Sequence, residues 1–264
     1  MLTLGTRGLP ATSSQLENAL REGLAPFQAP KLAVEITGDF PRLDGLRIDL
    51  SGGRLPSALP PNRTSQGSVR QELSVEALDL RAQPLLYENA RAHVEMHASG
   101  VQLQLRGGEG NEPAMLDLAG AKAGEFIFDI AHAELEALIK TIAQQAAQAH
   151  GVTIQRTNLQ VESTGARSVK FRADVQAQKL FMQTTLTLRG ALAVDDTLEA
   201  RLSDLSCSGT GVIGSLASNF LQPYMLKLQG RAFPLASFAL RGLRVRDVTL
   251  GAGDPLRVSA TFGS

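Results

Sequence analysis

The chain has a single cysteine, no tryptophan, no excess of either charge and no long apolar run. Cys207 alone cannot build an intrachain disulfide framework or a cysteine-based metal knuckle. With 26 basic and 26 acidic side chains the formal net charge is zero, and the two signs are interspersed. Nucleic-acid binding rests on a surplus of Lys and Arg to neutralise phosphates, so no nucleic-acid partner is expected. No stretch approaches the roughly 18 apolar residues of a membrane-spanning helix. The opening residues MLTLGTRGLPATSSQ lack the basic patch and apolar run of a signal peptide. The expected location is therefore cytoplasmic or at a membrane surface for the sequence as written, and periplasmic if it is trimmed.

Catalytic signatures are also missing. There is no G-x-S-x-G elbow and no Gly-rich phosphate loop ahead of a Lys-Ser or Lys-Thr pair. Asp195-Asp196 reads as a turn, and Cys207 as a small, partly buried residue with no His nearby in sequence. His93, Glu95 and His97 alternate in RAHVEMHASG. On a strand they share one face, and two His plus a carboxylate are zinc ligand types. The plainer reading is a solvated outer face, because Ala92, Val94, Met96 and Ala98 take the inner one. Neither a metal nor any other cofactor is expected, and the chain is not expected to be an enzyme.

What is present is a large aliphatic content. The 264 residues are 43% hydrophobic but only 5% aromatic, so a core must be built from Leu, Val, Ile and Ala. Ser14-Gln15-Leu16-Glu17 matches a capping box, and Leu16, Leu20 and Leu24 follow at helical spacing before Pro26. This predicts a short amphipathic helix over residues 14–25, packed on a sheet. From Lys31 the period drops to two, in Leu32, Val34 and Ile36, then in Leu46, Ile48 and Leu50. Residues 51–68 are rich in Gly, Pro, Ser and Asn and read as a loop. Alternation resumes at Leu73, Val75 and Ala77, slips at Leu78 and Leu80 as a bulge would make it, and continues through several runs to Ile130.

Residues 131–151 then read AHAELEALIKTIAQQAAQAHG. Leu135, Leu138, Ile139, Ile142, Ala143 and Ala146 recur at helical spacing, and Gly151 is a natural stop. More alternating runs follow to Leu202. A third, very apolar helical stretch then reaches about Gln229, with Pro223 inside it as a kink. A hairpin closes the chain. The pattern predicts an α+β fold: a highly curved antiparallel sheet wrapped around a long central helix, with a second apolar helix and a short N-terminal helix. Two halves, 1–130 and 131–264, form one domain in this reading.

The run GEFIFDIAHAELEALI, the tail LQGRAFPLASFALRGLRVRDVTLGAGDPLRVSATF and the strand LSVEALDL resemble a bacterial domain family of unknown function. That family is related to the mycobacterial lipomannan-elongation protein and is similar to the tubular lipid-binding (TULIP) superfamily. The resemblance implies a wrapped helix with acyl chains held in the groove between helix and sheet. The positions it implies as lipid-binding are Leu135, Leu138, Ile139, Ile142 and Ala146, with Leu216, Phe220 and Tyr224 on the second helix. The expected function is non-catalytic binding or transport of a phospholipid, fatty acid or similar apolar ligand, with transient membrane-surface contact. The alternative is a solidly packed structural or interaction module without a ligand.

Overall fold

A computed structural model describes residues 2–6, 8–55, 68–107, 113–148, 151–179, 182–211, 214, 222, 225–235 and 243–264. Strands dominate, at 60% of the described residues against 18% in helices. They form two sheets. The first has nine strands: β1 (Leu2–Thr3), β2 (Ala33–Asp39), β3 (Arg42–Asp49), β4 (Val69–Tyr87), β5 (Ala90–Arg106), β6 (Met115–Gly120), β7 (Ala123–Ile130), β13 (Val245–Gly251) and β14 (Leu256–Phe262). Its main path runs β13-β14-β7-β5-β4-β3-β2, and β6 joins β5 to β1. All pairs are antiparallel except β3 with β4. The second sheet is β8 (Thr153–Gly165), β9 (Ser168–Lys179), β10 (Met182–Val194), β11 (Glu199–Gly209) and β12 (Ala232–Pro234), in the order β12-β11-β10-β9-β8.

The first sheet carries the main core. Helix α1 (Ser13–Leu24) lies on it with Leu16, Ala19, Leu20 and Leu24 buried among Val34, Leu43, Leu73, Val75, Val101 and Leu105. A fully buried leucine of this kind contributes about 1.5–3 kcal/mol relative to an exposed one. The cap differs from the expected box by two residues. Thr12 is the N-cap, its hydroxyl accepting from Gln15 N at 3.2 Å, while the Gln15 side chain accepts from Ala11 N at 2.8 Å. The same chemistry acts two positions earlier than the Ser14 start, because three hydroxyl residues in a row compete for the position. Strand β1 runs close beside α1, and Gly23 makes this approach feasible: a Cβ there would sit 2.2 Å from the Thr3 carbonyl oxygen.

The phase slip read at Leu78 is present. Burial steps from Leu73 and Val75 to Leu78, and β5 steps with it, from Met96 to Val101 across Gly100. Gly100 has φ +57, a left-handed value that suits glycine. The register shifts within β4–β5 lie elsewhere, at Val69/Gln71 and Ala82/Leu85.

The expectation of one curved sheet wrapped around a long central helix is overturned. Helix α2 (His132–Gln148) has no buried residue, and it spans the junction between two sheets rather than lying inside one. Its apolar stripe has two different neighbours. Leu135 and Leu138 pack against Ala90, Ala92 and Ile130 of the first sheet, and Ala143 and Ala147 pack against Ile154, Val175 and Ala177 of the second. Helical periodicity reports that a face is covered, but not whether one sheet or two supply the cover. Strand alternation likewise did not reveal that β8 to β12 pair only among themselves. The expected second helix falls largely outside the described residues, Leu216, Phe220 and Tyr224 included.

The sheets meet at a second contact. Val194, Leu198 and Ala200 bury against Val248 and Leu250. Arg167 ties the two, its Nη2 lying 2.6 Å from Asp247 and its Nη1 3.1 Å from Asp196.

Candidate functional site

Two features stand out: α2 with the strand edge it lies on, and the polar face of the second sheet. Strand β8 is the edge of the second sheet, and an edge leaves backbone groups unpaired. Polar side chains of α2 meet them. Glu136 Oε1 accepts from Leu159 N at 2.7 Å, and the Glu136 carbonyl accepts from Thr157 Oγ1 at 2.9 Å. Two turns further on, Gln144 Oε1 accepts from Ile154 N at 2.7 Å. The other flank is fastened to the β4–β5 turn, where Glu134 accepts from Arg91 N at 3.0 Å. Asp254, in the closing hairpin, accepts from His132 N at 3.1 Å and so meets one free amide of the helix start. Glu136 and Gln144, two polar residues of the helix, hold it to the sheet.

The expected lipid-binding residues divide. Leu135 and Leu138 are half-buried against the first sheet, and Ile139 is half-buried. Ile142 is 51% exposed and Ala146 is exposed. Cover is therefore lost at Ile142 and Ala146, while Ala143 and Ala147 beside them pack on the second sheet. Met182, Leu226 and Leu228 are further large apolar side chains left exposed.

His93, Glu95 and His97 do share a face, and each faces a different neighbour. His97 Nδ1 lies 2.6 Å from Asp79 Oδ1, Glu95 accepts from Gln83 Nε2, and His93 stands opposite Asp129. Among the described residues no three His, Cys, Asp or Glu side chains converge as a metal site would need. Asp129 accepts both arms of Arg257, at 2.8 and 2.7 Å, and this pairing holds its carboxyl below the ordinary 3.8. Cys207 is half-buried, and burial pushes its thiol up, away from the thiolate that a nucleophile needs.

A hollow of about 460 Å³ opens on the second sheet. Register places Gln160, Arg172, Arg189 and Ser206 in one row across β8 to β11, and Glu162, Lys170 and Ala191 in the next. Asp204, at φ +53, sits where β11 bulges past Gly190. A Cβ on Gly190 would lie 2.6 Å from the Phe171 ring and from Leu205, so glycine lets the apolar side close behind the hollow. Neighbouring Asp174 is held below its ordinary value, first by the Thr187 hydroxyl at 2.6 Å and then by Arg172 at 3.0 Å. Sequence reasoning missed this site. The cations of VKFRAD and LRG are visible in the letters, but their lateral pairing depends on register.

Among the described residues no helix is long and apolar enough to cross a membrane. Comparison with protein-family models, with curated proteins and with solved structures finds no match.

Proposed function

We propose that this chain is a non-catalytic interaction module whose contact surface is the exposed part of the α2 stripe, at Ile142 and Ala146. The observation that carries the reading is Ile142, 51% exposed on the same stripe whose first half packs at Leu135 and Leu138. An apolar side chain left out at the end of a covered stripe is available to a partner. The helix beneath it is fixed from both sides through Glu134, Glu136 and Gln144, so the surface is presented on a held element.

A second reading is acyl-chain binding along that stripe, without an enclosing curved sheet. The exposed Ile142 and Ala146 favour it, because they leave apolar surface in water. A photo-crosslinking residue at position 142, with one at Gln145 as control, separates the two. Protein adducts at 142 and not at 145 are the expected result. Adducts of lipid mass, with lipid in organic extracts of the purified protein, favour the second reading. No adduct of either kind at 142 overturns both.

A further inference from the structure

The polar face of the second sheet holds an arrangement that folding alone does not explain. Arg172 and Arg189 are register partners on adjacent strands, so their side chains leave the same face about 4.8 Å apart. Like charges directly opposite one another destabilise a sheet. Asp174 offsets them in part: its Oδ2 lies 3.0 Å from Arg172 Nε, and its charge is also stabilised by Arg189 across the row. Arg189 makes no hydrogen bond or ion pair with any described residue. Lys170 lies two residues along β9 from Arg172, roughly 6–7 Å away on the same face. Three cations therefore converge on a hollow of about 460 Å³. Glu162 and Asp204 also line it, at the Lys170 side and at the bulge. The end formed by Arg172 and Arg189 is left with two guanidiniums to one carboxylate, beside Gln160 and Ser206.

We propose that this hollow binds a phosphate-bearing ligand, with Arg189 as its principal donor. A guanidinium presents paired N–H groups in a planar fork that matches two oxygens of a phosphate, and a second guanidinium alongside fits the doubly charged form. Gln160 and Ser206 add neutral donors at the two ends of the row. The volume falls within the range of small-ligand sites, about 300–1,000 Å³. The same chemistry is offered by a free phosphate and by a phospholipid headgroup. The site is independent of the α2 surface.

The test uses the full chain with two probes: inorganic phosphate followed by calorimetry, and phosphatidylcholine vesicles with and without phosphatidylglycerol followed by co-sedimentation. Saturable binding is expected with at least one probe. Arg189→Gln is expected to weaken it at least tenfold. Arg156→Gln, two rows away on the same face, is expected to change it less than twofold. Arg189→Lys keeps the charge, loses the fork, and is expected to lose at least threefold. Without phosphate, Arg189→Gln is expected to melt no lower than the parent, since it removes a like-charge neighbour, and phosphate is expected to raise the melting temperature of the parent alone. Binding confined to phosphatidylglycerol vesicles assigns the phosphate to a headgroup; binding of inorganic phosphate assigns it to a free ligand. Absence of saturable binding with both probes overturns the proposal, as does an equal loss in Arg156→Gln or undiminished binding in Arg189→Lys.

Discussion

The two helices make opposite use of similar sequences. Helix α1 has 12 residues and buries four of them; α2 has 17 and buries none. Both are amphipathic, and the longer one is the more superficial. Burial is set by what faces the helix. A broad sheet surface covers Leu16, Ala19 and Leu20 completely, whereas the junction of two sheets touches α2 only along narrow strips. The first helix is held mainly by area removed from water. The second is held by side chains that complete the hydrogen bonding of an exposed edge.

The sharpest way to break this contrast is a pair of leucine truncations. Leu20→Ala is expected to cost about 2–5 kcal/mol, the usual range for a fully buried leucine, with Leu138→Ala costing less than half as much. Urea denaturation measures both, and equal losses would mean that α2 carries as much of the core as α1. Next comes Glu136. Its replacement by Ala strips the acceptor from Leu159 N and is expected to cost about 1–3 kcal/mol, while Gln, which retains an oxygen, recovers most of that. Amide exchange at Leu159 should quicken in the Ala variant alone; unchanged exchange would show that the edge is sealed by something other than this carboxylate.

Smaller again is the acid limb. Asp129 has its pKa lowered in the folded state, so its contribution is complete above the ordinary 3.8 and fades as pH falls through the lower folded value. Arg257 is largely exposed, and solvent screening limits the effect to about 1 kcal/mol or less. Melting temperatures of Asp129→Asn and the parent should differ near neutral pH and converge in acid, once the pH lies below the lowered folded value. A gap that persists in acid would assign the loss to packing. Smallest is Ile142→Ser, expected within about 0.5 kcal/mol because the side chain is half in water. A loss well above that would place the residue under cover and remove the basis of the proposed contact surface.

Much of this was legible before any coordinates. Leu16, Leu20 and Leu24 at helical spacing, the alternation of Leu46 and Ile48 and the stop at Gly151 all follow from local chemistry. What failed was assembly. An alternating run announces a strand and its inner face, but not its neighbour. Nothing in the letters around Val161 or Phe171 states that β8 and β9 stay apart from β7. The candidate sites were hidden for the same reason. Arg172 and Arg189 are 17 positions apart and become neighbours only through register. Glu136 looks like any solvated helix residue until an edge strand is brought beneath it.

The strand order has a consequence for how the chain reaches this state during synthesis. Strands β8 to β12 follow one another in sequence and make up the second sheet, complete as soon as β12 has emerged. The first sheet does not have that freedom. Strand β7 must wait more than a hundred residues for β14, the partner on its outer side. Until then the row formed by Phe126, Phe128 and Ile130 has an open flank, and the inserted sheet is the first part of the later half able to settle.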